Sequence, residues 1–204
     1  MSDFERITEV TPMKALNGLT PPVARTAKGN RRAPYRLGQW TEHLDPDTLE
    51  MCQYGYHYVT GADVLGWLGH DLYVAETCPD HPPVNGGNKH VTCRLKVVCP
   101  VPNWDGRTRR LFAADCAESV LLAERACGWE PDPRSWEAVS VARRYATADV
   151  SSSTIASARA AAWDVAGDAG SESANTTFYA RWLAYVNGDP IPPVEPLYGE
   201  EKRS

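Results

Sequence analysis

The sequence predicts an α+β fold: a small, mostly antiparallel sheet followed by a C-terminal array of about four helices. Three observations lead there. Residues 1–104 hold short apolar–polar alternations and most of the 16 prolines and 15 glycines, the composition of strands joined by turns. Residues 105–188 are rich in Ala, Arg and Glu and carry helix punctuation. Residues 189–204 contain Pro190, Pro192, Pro193 and Pro196 and end in GEEKRS. That stretch reads as a Pro-rich tail, and its removal is expected to leave the melting temperature nearly unchanged.

In the N-terminal region an early strand is expected near Met13–Leu16. Cys52–Val59 (CQYGYHYV) reads as a strand with Cys52, Tyr54, Tyr56 and Tyr58 on one face. Gly61–Leu68 reads as a short helix capped by Thr60. Asp71–Glu76 is a further strand, and 77–88 (TCPDHPPVNGGN) has the composition of a connecting loop. The clearest strand is His90–Val101. There Val91, Cys93, Leu95, Val97 and Cys99 share one face, with Thr92, Arg94 and Lys96 opposite.

The first helix is predicted over about Thr108–Cys127, with Asp105 as N-cap and Gly128 as C-cap. Phe112, Cys116, Val120 and Ala123 form its apolar stripe. The second begins at Asp132–Pro133, a cap followed by proline at the first position. The third begins in Ser151–Ser153 and carries Ile155, Ala158, Ala162 and Val165. The fourth runs over about Ala174–Val186, aligns Tyr179, Trp182 and Val186, and stops at Asn187–Gly188. Frequent alanine permits close helix packing.

Composition excludes several classes. With 43% hydrophobic and 23% charged residues, the 204-residue chain is not disordered as a whole. No stretch approaches the roughly 18 apolar residues of a membrane span. The N-terminus MSDFERITEV has no basic flank before an apolar core, so no secretory signal is read there. Six dispersed cysteines are then expected as reduced thiols in a cytoplasm. The net charge of −5 excludes a globally basic nucleic-acid binder but leaves room for a local patch.

Such a patch lies in residues 10–41, which contain Lys14, Arg25, Lys28, Arg31, Arg32 and Arg36 and no acidic residue. Tyr35 and Trp40 follow its densest part. Arg31, Arg32, Tyr35 and Trp40 are therefore binding candidates, for an acidic protein surface or for nucleic acid. Tyr56, His57 and Glu76 form the sharpest chemical set, since an aromatic, a His and a carboxylate on neighbouring strands can line a nucleotide cleft. Strand parity sends Tyr56 and His57 to opposite faces unless Gly55 makes a bulge.

Cys78-x2-His81 and His90-x2-Cys93 have metal-like spacings. His90 and Cys93, three apart on one strand, should point oppositely, so a protein without bound zinc or other cofactor is expected. Glu118, Arg143 and Arg144 read as solvated helix charges. Asp115 beside Cys116 does not activate the thiol, because a carboxylate raises its pKa. Trp67, Trp104, Trp136, Trp163 and Trp182 sit at amphipathic positions and read mainly as core. No phosphate loop, G-x-S-x-G, dinucleotide glycine fingerprint or H-E-x-x-H is present.

An ordered set of short stretches resembles an uncharacterised family of phage-encoded proteins. It comprises Gly38–Trp40, Cys52 with Gly55–Tyr56–His57, Trp67–Leu68–Gly69, Leu72–Glu76, Lys89, Trp104, Arg107 and Arg110–Glu118 (RLFAADCAE). From that last stretch through Glu137–Tyr145 and Ala158–Trp163, the helical half also resembles a bacterial immunity-protein family. The resemblance implies a small phage accessory protein acting on a host factor, and supplies no catalytic residue or cofactor. The leading expectation is a non-enzymatic phage accessory protein that binds and modulates a bacterial host or defence protein in the host cytoplasm. The alternatives are an ADP-ribosyltransferase-like nucleotide-using enzyme with His57 and Glu76 in its cleft, and a virion or assembly component.

Overall fold

The structure is a computed structural model. It describes residues 6–16, 23–25, 32–68, 71–147 and 172–197. The fold is α+β, and the chain divides into two compact units, Met1–Pro102 and Asn103–Ser204.

The first unit is built from short antiparallel strands. β1 (Met13–Leu16) pairs with β5 (Asp71–Thr77), which pairs with β8 (Leu95–Pro100), giving the order β1-β5-β8. A second sheet has the order β4-β7-β6, from β4 (Tyr56–Tyr58), β7 (His90–Thr92) and β6 (Val84–Asn85). β2 (Val23–Arg25) and β3 (Arg32–Pro34) form a separate two-stranded ribbon. β8 alternates as a half-buried strand must: Leu95 and Val97 are fully buried and Lys96 faces out. Leu95 and Val97 join Leu16, Tyr35, Leu44, Tyr56, Tyr58, Ala75, Cys78 and Cys93 in one apolar cluster.

The strand expected over 90–101 is divided in two. At Cys93 and Arg94 the carbonyls turn to other segments: Cys93 O accepts from Leu44 N–H at 2.9 Å, and Arg94 O from Cys78 N–H at 3.0 Å. β7 and β8 therefore enter different sheets. Thr92, expected on the outer face, is buried, and its hydroxyl donates to Arg94 O at 3.3 Å. The strand expected over 52–59 is confined to β4, because residues 51–53 turn and Cys52 takes a φ of 63°. Gly61–Trp67 is a 3-10 helix rather than an α-helix, and the Thr60 side chain does not cap it.

Gly55, just before β4, has a φ of 126°, and a Cβ there would stand 2.2 Å from Val91 Cγ2. Val91 is fully buried and has no room to yield. Gly55→Ala is expected to lower stability by about 2 kcal/mol, through backbone strain and overpacking. Chemical denaturation monitored by tryptophan fluorescence checks this, and an unchanged midpoint would contradict it.

In the second unit α1 (Gly106–Ala126) begins at Asp105, whose carboxylate accepts from Thr108 N–H at 2.8 Å. It ends at Cys127, and Gly128 follows with a φ of 86°, the left-handed stop that favours glycine. α2 (Pro133–Thr147) starts with proline, and the Asp132 carboxylate accepts from Arg134 N–H at 2.8 Å. α3 (Glu172–Asn187) closes the described helices. The helix expected from Ser151–Ser153 lies outside the described residues. Trp104 meets Phe112 and Trp182 edge-on, at 5.9 and 6.1 Å, and Tyr179 stacks on Trp182.

Residues 189–197 are not a free tail. Leu197 is buried and its N–H donates to Ser119 O at 3.1 Å. Ser119 Oγ donates to Glu195 O at 2.6 Å, and the Arg181 guanidinium to Pro193 O at 2.6 Å. The segment read as a tail is therefore docked through residue 197, and its removal is expected to cost stability.

Candidate functional site

β4 pairs with β7 in regular register, Tyr56 opposite Thr92 and His57 opposite Val91, so no bulge brings Tyr56 and His57 together. Tyr56 is buried and packs edge-on to Tyr35, with ring centres 6.3 Å apart. His57 Nε2 accepts from Cys52 N–H at 2.8 Å and so holds the turn at 51–53. Burial first, then the positive charges of Lys14 and Lys89, pull the imidazole down to about 4. It is neutral at physiological pH, with its lone pair committed to the backbone. Glu76 has a different partner. It stands opposite Lys96 in the β5–β8 ladder and pairs with its ammonium at 2.5 Å.

The basic segment separates into core and surface parts. Arg31 lies outside the described residues, and Arg32 opens β3 opposite Arg25. Tyr35 is core, not surface. Lys14 Nζ lies over the Tyr35 ring and donates to His57 O at 2.6 Å, and burial lowers its pKa to about 8. It therefore does not belong to an exposed patch. Arg36 and Leu37 are exposed at the turn leading to Trp40. Trp40 bridges to Lys96, and its indole carries two cations, the Arg94 guanidinium at 5.0 Å and Lys96 Nζ at 5.2 Å from the ring centre. Trp40, Lys96 and Glu76 thus form one row across the outer face of the sheet. Arg94 and Lys96 had a signal in the sequence, their shared parity on the strand, though not their meeting with Trp40.

The metal-like spacings are sorted differently by the fold. His90 stacks on Tyr58 at 5.1 Å and its Nε2 lies 3.2 Å from Thr60 Oγ1. Cys78 and Cys93 instead converge on His43, whose Nε2 is 3.9 Å from Cys78 Sγ and 3.8 Å from Cys93 Sγ. The His81 ring lies beside that of His43, with centres 5.8 Å apart. Both thiols are buried, while His43 and His81 are exposed. Burial, then the adjacent Cys78 thiol, pushes the Cys93 thiol up to about 11, so this is not an activated nucleophile. Nothing in the sequence around His43 has ligand spacing; the Leu44–Cys93 and Thr41–Leu95 hydrogen bonds bring it here.

In the second unit Glu118 and Arg143, expected to be solvated, are only partly exposed and join a network centred on buried Asp115. The buried Asp115 carboxylate accepts from Arg143 at 2.7 Å, Arg181 at 2.9 Å and the Tyr185 hydroxyl at 2.7 Å. Arg143 also pairs with Glu118. Arg144 alone of the three singled-out charges behaves as expected, exposed and paired with Glu137 at 2.8 Å. Cys116 is inert, since burial and then the Asp115 charge raise its pKa. Trp136 lies under Arg125 at 4.5 Å and Trp182 is fully buried; among the described residues the exposed tryptophan is Trp129, between α1 and α2.

Comparison of the chain with protein-family models, curated proteins and solved structures finds no match.

Proposed function

We propose that the protein is a non-enzymatic phage accessory protein that docks on an acidic surface of a bacterial host or defence protein. One observation carries this reading: the Trp40 indole flanked by Arg94 and Lys96 on the outer face of the sheet, with exposed Arg36 and Leu37 beside it. A rigid aromatic with attached cations is the composition of a protein-binding hot spot. Glu76 on the same row, together with the neighbouring exposed Glu42, makes the face mixed in sign. An acidic protein surface can place a basic group opposite these carboxylates as well as acids opposite the cations, which a uniformly anionic polyphosphate backbone cannot. The ADP-ribosyltransferase-like alternative rests on His57 and Glu76 acting together; His57 Nε2 accepting from Cys52 N–H and Glu76 pairing with Lys96 favour the binding reading. The phage origin and the host cytoplasm come from the sequence resemblance.

The test is affinity purification from bacterial cells, followed by association rates for the captured protein. Trp40→Ala with Lys96→Ala is expected to weaken binding by at least about tenfold. Arg31→Ala with Arg32→Ala is expected to slow association at low salt and to matter less as salt rises. Capture unaffected by these changes, or recovery of nucleic acid instead of protein, would overturn the proposal.

A further inference from the structure

From the convergence of four side chains we infer that His43, Cys78, His81 and Cys93 form a structural zinc site in the first unit. The first argument is distance. Around a tetrahedral zinc, with thiolates at about 2.3 Å and imidazole nitrogens at about 2.0–2.1 Å, ligand atoms stand roughly 3.5–3.8 Å apart. His43 Nε2 stands 3.9 and 3.8 Å from the two sulfurs, and the three ligand atoms all lie within 4.8 Å of one another.

The second argument is that the backbone holds this arrangement. Leu44 N–H donates to Cys93 O, Cys78 N–H to Arg94 O, and Thr41 N–H to Leu95 O, at 2.9, 3.0 and 3.0 Å. Each hydrogen bond lies at or within two residues of a ligand, so three distant segments are joined where their donors meet. Cys93 lies at the break between β7 and β8, where its carbonyl and that of Arg94 bond to the segments that carry His43 and Cys78.

The third argument is donor chemistry. Two buried sulfurs and exposed imidazoles suit zinc rather than magnesium or calcium, which prefer oxygen. The exposed side is an entry path for the ion. His81 completes the set. It lies three residues after Cys78 in an exposed turn, and its ring already neighbours that of His43. The proposal assigns the fourth position to His81 on that proximity. On binding, the two thiols release their protons to solvent, and two thiolates with two neutral imidazoles balance the 2+ charge. With four protein ligands the site is closed, so its role is to staple the segment after Thr77 and the segment at 41–44 to the strand ends. This departs from the metal-free expectation, which paired Cys93 with His90. It is independent of the docking face.

The test uses the full chain, purified without chelator. Elemental analysis is expected to find about one zinc per chain, and cobalt exchange to give the visible bands of a tetrahedral sulfur–nitrogen site. Cys93→Ser alters a fully buried group and so confounds folding with binding; the deciding variants are therefore at exposed positions. His43→Ala and His81→Ala are each expected to weaken zinc retention against a competing chelator by roughly 100-fold, with His81→Ala also shifting the cobalt bands. His90→Ala is expected to retain zinc as the wild type does. A wild-type chain that binds no zinc after refolding with it, a Cys78–Cys93 disulfide found by mass, or unchanged retention in His43→Ala or His81→Ala would overturn the site.

Discussion

Asp115→Asn is expected to lower stability by about 3–5 kcal/mol, because it leaves the buried Arg181 guanidinium without its counter-charge. The carboxylate receives three hydrogen bonds, from Arg143 on α2 and from Arg181 and Tyr185 on α3. It thus holds together the three described helices of the second unit. Arg143 keeps Glu118 as a partner when Asp115 is neutralised, whereas Arg181 keeps the uncharged Pro193 carbonyl. At roughly 2–4 °C per kcal/mol for a chain of this length, the melting temperature should fall by about 10 °C. Asp115→Asn combined with Arg181→Met should recover part of that loss, since the stranded charge is gone. A loss below about 1 kcal/mol for Asp115→Asn would place the network among ordinary solvated ion pairs.

What was legible in the sequence was local. Met13–Leu16, the strand from Asp71, the cap at Asp105, the stop at Gly128 and the start at Pro133 each depend on neighbours within a turn, and the structure has them there. The division of 90–101 was not legible. Its alternation is that of one strand, and the interruption comes from donors at Leu44 and Cys78, far away in the chain. His43 was missed for the same reason, while Cys78, His81 and Cys93 were visible as ligand types without their geometry. Asp115 did leave a signal. It stands with Phe112, Cys116, Ser119 and Ala123 at helical spacing on the buried stripe of α1, and an acid in such a stripe requires a cation facing it. The binding candidates divided because Tyr35 and Trp40, five residues apart, lie on either side of the turn at 36–39, one in the core and one on the outer face.

Ending the chain after Asp189 is expected to lower stability by about 3–5 kcal/mol, the reverse of what its proline content suggests. Prolines limit secondary structure, but they do not stop an extended segment from docking, and Leu197 is as buried as a core residue. Losing that burial costs about 1.5–3 kcal/mol. The Arg181 guanidinium loses the Pro193 carbonyl and the Ser119 hydroxyl loses Glu195 O, in a part of the unit that is already buried. Unmet buried donors add about 1–3 kcal/mol. Leu197→Ala in the full-length chain separates the two contributions: it should cost about 2 kcal/mol and leave both carbonyl contacts in place. Thermal unfolding of the truncated chain, Leu197→Ala and the wild type provides the comparison. The truncated chain should melt lowest and Leu197→Ala between it and the wild type. Three coincident curves would mean that residues 190–197 rest on the helices without stabilising them.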